Sequence, residues 1–204
     1  MAKLALADLK AFTNPQTLAI NQTIEVSPVF EKILPGASLK RGSVGVLRGT
    51  LGSGATSLFF SLISTPTKKG SWVALVGLGN LGFASAQSHG VDLSRLVSVA
   101  CAIPDLPEVA SIMLDGFDIV VMRASVDATR ARKLAEKARR QKSILLVLSE
   151  TGSSQWPGSR DFSIDVLRSI WHSDTVAPLS RHSLVLKVES EKWGSARTSE
   201  LTGI

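Results

Sequence analysis

The sequence predicts an α/β fold: a mostly parallel sheet flanked by helices and extended at its C-terminal end by an antiparallel strand pair. Three observations carry that expectation. From Ser43 onward, short continuous apolar runs alternate with helix-length segments, the pattern of strands buried on both faces. A glycine-rich stretch, Arg48–Ser57, joins one such run to an apolar helical run, Leu58 to Ile63. After Ser149, two strand-length runs follow with no helix between them, which suits antiparallel pairing.

Residues 3–12 carry apolar side chains at roughly helical spacing until Asn14-Pro15 ends the pattern, and Ile20 to Val26 alternates as a short strand. This N-terminal arm, residues 1–26, is expected to cover its own domain or to pair with a neighbour's sheet edge. The core is expected over residues 27–190. Ser27-Pro28 is an N-cap followed by proline at the first helical position, opening a short helix through Leu34 that Pro35-Gly36 closes. Strands are expected at Ser43–Leu47, Trp72–Val76, Leu96–Ala100, Phe117–Met122 and Ser143–Ser149. The first helix between them runs from the glycine-rich loop to about Ser64, with Pro66 to Gly70 as a turn. Three more follow: from an Asn80 cap to about Ser88, from Pro104 to Leu114, and from Asp127 to Gln141. A Gly/Ser-rich loop, Glu150–Arg160, carries Trp156-Pro157. Asp161–His172 and His182–Glu189 are the closing strands around a turn at Ser173–Arg181; Phe162–Ser169 also fits a helix, the strand being preferred. Residues 191–204, largely polar around Trp193 and Leu201, are expected to form a flexible tail.

The 204 residues are 44% hydrophobic, enough for one domain with a sizeable core. The longest apolar runs, such as Trp72–Leu78 and Ile144–Leu148, fall far short of the ~20 residues a membrane span requires. Asp8 and Lys10 interrupt the N-terminal apolar stretch before a signal-peptide core can form. A single cysteine, Cys101, rules out an internal disulfide and a multi-cysteine zinc site. A cytoplasmic protein is the expectation, with nucleoid association as an option. The net charge of +6 suits a nucleic acid or acidic protein partner, and equally an ordinary basic protein.

Arg48–Ser57 has the outline of a phosphate-binding loop, G-x-x-x-x-G-K-[ST], with Gly49 and Gly54 in place and Thr56 where a magnesium-binding hydroxyl belongs. The lysine position is Ala55. That lysine reaches the β- and γ-phosphates and offsets charge that builds up in phosphoryl transfer, which a methyl group cannot do. Gly49, Gly52 and Gly54 still free backbone N–H groups at a helix N-terminus, and Thr56 and Ser57 add hydroxyls. Two readings stand: a weak phosphate or nucleotide site with no resident cofactor or metal, or glycines kept because the strand-to-helix turn needs them. The second is preferred. Gly77, Gly79 and Gly82 match G-x-G-x-x-G, but no acid on a following strand end supports a dinucleotide site, and that reading is rejected.

With these elements placed, the chain resembles the RecA ATPase core over about residues 27–190. The residues that carry the resemblance are Lys40 through Ser57, Ser71–Val76 with the later Gly90–Leu96, the buried strand opening at Asp118, and the closing strands ending Leu186–Glu189. Within that superfamily it looks like the ImuA group, in particular the short actinobacterial ImuA-prime type. The resemblance implies a RecA-like P-loop core and an accessory role in a DNA damage-tolerance (translesion synthesis, SOS-response) mutasome. The implied partners are ImuB, a catalytically inactive Y-family polymerase relative, and an error-prone replicative-type polymerase. It also exposes two further departures. The acid that would hold Mg²⁺ at the end of the buried strand is Arg123, and the catalytic glutamate after the second strand is Gly79. With Ala55, three losses coincide, and the expectation is a pseudo-ATPase rather than an enzyme.

Function is then expected on surfaces. In the helix after Asp127, Arg130, Lys133, Lys137 and Arg140 form a stripe opposite Ala131, Leu134, Ala135 and Ala138; it is a candidate DNA or partner contact, or simply a solvated face, the reading slightly preferred. Trp156 and Arg160 on the exposed Glu150–Arg160 loop are candidates for stacking single-stranded DNA or anchoring a protein. The leading reading is an inactive RecA-like adaptor. The alternatives are a single-stranded-DNA-binding recombinase mediator, a SulA-like cell-division inhibitor, and a slow ATPase with its lysine supplied by another chain.

Overall fold

A computed structural model describes residues 22–50, 52–79, 81–150, 155–172, 181–190 and 196–202. Among the sequence expectations, the helix at 3–12, the Asn80 cap and the turn at 173–180 lie outside the described residues.

A two-stranded antiparallel ribbon opens the described chain, β1 (Thr23–Glu25) against β2 (Ser38–Lys40), with Ile24 opposite Leu39. Ile24 and Val26 are buried in the main core, so this part of the segment read as an arm covers its own domain. Between the two strands, Pro28 starts a 3₁₀ turn that inserts Phe30 into the same core.

The main sheet is built from β3 (Val44–Gly49), β4 (Val73–Val76), β5 (Leu96–Val99), β6 (Ile119–Arg123), β7 (Ile144–Glu150), β8 (Phe162–His172), β9 (Arg181–Ser190) and β10 (Arg197–Thr202). Its order is β10-β9-β8-β3-β7-β6-β4-β5. Strands β3 to β8 run parallel; β9 is antiparallel to β8, and β10 to β9. The expected mostly parallel sheet and closing antiparallel pair are both present. The tail expectation is corrected: residues 197–202 form a third antiparallel strand, anchored by Leu201, whose side chain is buried while its polar neighbours face out.

Helices cover both faces of the parallel part. On one face lie α1 (Ala55–Lys68) and α2 (Phe83–Ser88), with Phe59, Phe60, Leu62 and Ile63 of α1 fully enclosed. On the other lie α3 (Leu106–Met113) and α4 (Ala128–Gln141), whose Ala131, Leu134, Ala135 and Ala138 face the sheet as their spacing predicts. Asp127 caps α4 by accepting the Arg130 N–H at 2.9 Å. Helix α1 does not stop before Pro66 as expected. It carries the proline in its last turn, and the buried Thr67 hydroxyl donates to the carbonyls of Ile63 (3.0 Å) and Ser64 (2.9 Å).

Candidate functional site

Parallel strands present all their carboxyl ends on one edge, and that edge is where α/β sheets bind ligands when neighbouring connections leave for opposite faces. Here β3 leads into α1 on one face, while β6 leads into α4 on the other and returns as β7 between them. The glycine loop after β3, Gly77–Gly79 after β4 and Arg123 at the end of β6 therefore share one edge. By strand spacing Arg123 is about 10 Å and Gly79 about 14 Å from the end of β3.

The loop is tight. The Ser53 N–H donates to the Thr50 carbonyl at 3.0 Å, and Gly52 and Gly54 take positive φ values of 77° and 90°. A side chain on Gly49 would meet the Ser53 hydroxyl at 2.4 Å and the Ala55 methyl at 2.8 Å. One on Gly54 would strike Leu184 at 2.7 Å and the His182 ring at 3.2 Å. The glycines at 49 and 54 are thus required by packing, and Gly54 by its positive φ as well. Ala55 is the first residue of α1 and rests against the apolar core, Thr56 is exposed, and Ser57 is half-buried. The Ser53 hydroxyl is buried with no hydrogen-bond partner among the described residues.

Gly79 has φ of 62°, a backbone that side-chain-bearing residues avoid. A glutamate there would carry strain. Gly77 shares this backbone, with φ of 63°, and a Cβ there would in addition lie 2.1 Å from Leu106. Arg123 is exposed. Sequence reasoning missed two neighbours of the loop. Glu150 ends β7 in register with Gly49, and it was read only as the start of a loop. His182 is buried beside Gly54, accepts or donates a 2.8 Å hydrogen bond with Ser169, and stacks on Trp171 at 4.1 Å. No local motif marks these residues; only the β8–β9 register brings them to the loop.

The surface candidates fare unequally. Trp156 is 6% exposed, packed in the α3–α4 core with its indole N–H donating to the Ser159 carbonyl at 3.2 Å. The expectation of an exposed stacking tryptophan is overturned, because the small Ala131 and Gly158 leave a slot that the ring fills. Arg160 pairs with Glu189 at 3.6 Å. The stripe on α4 is also less free than its spacing suggests. Lys137 is 18% exposed and binds Asp115 at 2.7 Å and the Ser111 hydroxyl at 3.1 Å, holding the Asp115 carboxyl below its usual range. Arg130 pairs with Asp127 at 3.5 Å, and only Lys133 and Arg140 make no ion pair within the described residues. Arg130 and Lys133 line a groove of about 270 Å³ with Pro104, Pro107, Glu108, Ser111 and Leu134. Among the described residues, no group of three or more His, Cys, Asp or Glu is placed to hold a metal ion, and no helix is long and apolar enough to cross a membrane.

A family model described as the MT3502 N-terminal domain matches residues 32–158. The chain belongs to that family. The matched stretch of the MT3502 N-terminal domain takes in the glycine loop, the Gly79 and Arg123 positions, and α4, and it stops before β8. Over 113 residues the chain is 39% identical to the uncharacterized protein Rv3395c of Mycobacterium tuberculosis, covering 54% of this chain and 53% of that protein. The chain spans about half the length of this curated relative.

Proposed function

We propose that this MT3502 N-terminal domain protein is a RecA-like pseudo-ATPase that serves as an adaptor in a translesion-synthesis complex. The observation that carries the reading is the composition of the carboxyl edge: a glycine loop opening a helix with Ala55, a strand ending in Arg123, and Gly79 in a left-handed turn. Phosphoryl transfer needs a cation on the phosphates, an acid for Mg²⁺ and a base for water, and these three positions supply none of them. Glu150 at the same edge stands opposite Gly49, on a different strand from the two positions that lack an acid. What remains is a scaffold, and a scaffold acts through what it holds. The resemblance to the ImuA group gives the partner class: an ImuB-like inactive Y-family polymerase and an error-prone replicative-type polymerase.

Two measurements test this. Purified protein is expected to show no ATP turnover above a blank; turnover that a Thr56→Val change abolishes would overturn the pseudo-enzyme reading. Co-expression with the inactive Y-family polymerase relative from the same genome is expected to yield a complex that survives gel filtration. If the two proteins elute separately at micromolar concentration, the adaptor reading fails whatever the ATPase result.

A further inference from the structure

The edge of the sheet opposite the glycine loop has a chemistry of its own. There the strands begin, in the spatial order β3-β7-β6-β4-β5, so β3 and β5 are four spacings, about 19 Å, apart. The segments entering these strands touch one another. A Cβ on Gly42 would meet the Arg139 backbone at 3.1 Å, the Ser143 hydroxyl donates to the Phe117 carbonyl at 2.6 Å, and the Trp72 N–H donates to Asp118 at 3.0 Å.

The acids along this edge are already engaged. Asp118 binds Arg41 at 2.8 Å as well as the Trp72 N–H, Asp115 binds Lys137 and Gln141, and Asp161 accepts the Val44 N–H at 2.9 Å. Four of the cations are not paired with these acids at contact distance, although Arg140 helps hold the Asp115 carboxyl below its usual range. Lys40, Arg140 and Lys142 are exposed and make no ion pair among the described residues, and Arg139 donates only to the Ser159 hydroxyl. Basic residues at the C-terminal end of α4 suit its dipole, which accounts for Arg139, Arg140 and the C-cap Lys142 but not for Lys40. Lys142 has a second peculiarity. Its φ of 57° is a helix-ending conformation that glycine adopts without strain, yet the position holds an exposed ammonium. At the β5 end, Trp72 is 40% exposed with the Arg95 guanidinium 4.9 Å from its ring centre. The carboxyl edge differs: Arg123, Arg130 and Lys133 there are interspersed with Asp105, Glu108, Asp127 and Glu150.

We propose that this amino edge binds single-stranded nucleic acid, with Lys40, Arg139, Arg140 and Lys142 on the phosphodiester backbone and Trp72, backed by Arg95, stacking a base. A row of unpaired cations ending in a half-exposed aromatic is the combination that single strands select, and the ~19 Å row accommodates a few nucleotides. The inference does not depend on the pseudo-ATPase or adaptor reading. It also moves the nucleic-acid contact away from Trp156, which is buried, and from Lys137, which is occupied.

The test is fluorescence anisotropy of a labelled oligothymidylate and a matched duplex across a salt series, using the full chain. The key variant is Lys40→Gln/Arg140→Gln/Lys142→Gln. It is expected to lose affinity about tenfold or more and to lower the slope of log K against log salt by about 2. Lys142→Gly alone relieves backbone strain, so it is expected to weaken binding without lowering the melting temperature, which separates contact from folding. Trp72→Leu is expected to weaken single-strand binding with the salt slope unchanged, and Arg130→Gln/Lys133→Gln to have no effect. No binding at low salt, an unaffected triple variant, or loss of binding in the Arg130/Lys133 control would each overturn the proposal. So would a duplex bound as tightly as the single strand with Trp72→Leu silent.

Discussion

Trp156→Ala separates a core residue from a recognition residue. A tryptophan side chain removes up to about 250 Å² from water, so near-complete burial corresponds to about 6 kcal/mol at 25 cal/mol per Å², an upper bound. Partial collapse of the slot over Ala131 brings the expected loss to about 3–5 kcal/mol. That is a large share of the roughly 5–15 kcal/mol available to a domain of this kind. Urea denaturation followed by circular dichroism reads the loss directly. The geometry supplies an internal check. A Cβ at Gly158 would lie 2.8 Å from the indole nitrogen and 3.1 Å from the Ala131 methyl, so Gly158→Ala is expected to destabilise by about 1–3 kcal/mol through overpacking. In the Trp156→Ala background the indole clash is gone, so the double variant is expected to be more stable than the sum of the singles predicts. A Trp156→Ala protein that keeps its stability to within about 1 kcal/mol, or a strictly additive cycle, would refute the placement of the ring.

Gly45→Ala is expected to destabilise by about 1–3 kcal/mol, because its methyl would sit 2.2 Å from the Phe162 ring; Phe162→Leu should recover part of that loss in a thermal melt. On the RecA-like reading, Ala55→Lys alone is expected to give no ATP turnover, since positions 79 and 123 carry no acid; a coupled-enzyme assay that registers turnover would contradict this. The Asp127 carboxyl is held below its usual range first by the Arg130 N–H it accepts, and Asp115 by Lys137. Both folded pKa values are depressed, so their contribution is fully present above the unfolded value of about 4 and is lost as pH falls through the folded ones. Asp127→Asn is therefore expected to flatten the acid limb of the stability profile, which a series of melts below about pH 5 measures.

Continuous apolar runs such as Ile144–Leu148 announced buried parallel strands, and the Ala131/Leu134/Ala135/Ala138 spacing announced the inward face of α4, because burial on both faces or one stripe leaves a periodic mark. Trp156 left no such mark. Next to proline and glycine it has the look of an exposed turn, and only the absence of side-chain bulk at Ala131 and Gly158, far apart in sequence, makes room for it. Residues 197–202 carry a single deeply buried apolar side chain, Leu201, so their polar outer face hid a strand. Lys137 was legible as a cation on a helix but not as half of an ion pair, since Asp115 belongs to another element. Glu150 and His182 reach the loop only through strand register, which local sequence does not encode.

Gly54 has a practical bearing on anyone who trims this chain. The recognised family stretch closes at residue 158, an inviting place for a stop codon. Cutting there would strip β3 of its outer neighbour β8, leave Gly45 without the Phe162 ring that covers it, and remove Leu184 and His182 from behind the glycine loop. The fragment would display a raw apolar strand margin ready to pair with whatever strand it met, and a turn with nothing to brace it. Insoluble or aggregated fragments would then report on the missing ribbon rather than on the protein, and a useful minimal version has to run through Thr202.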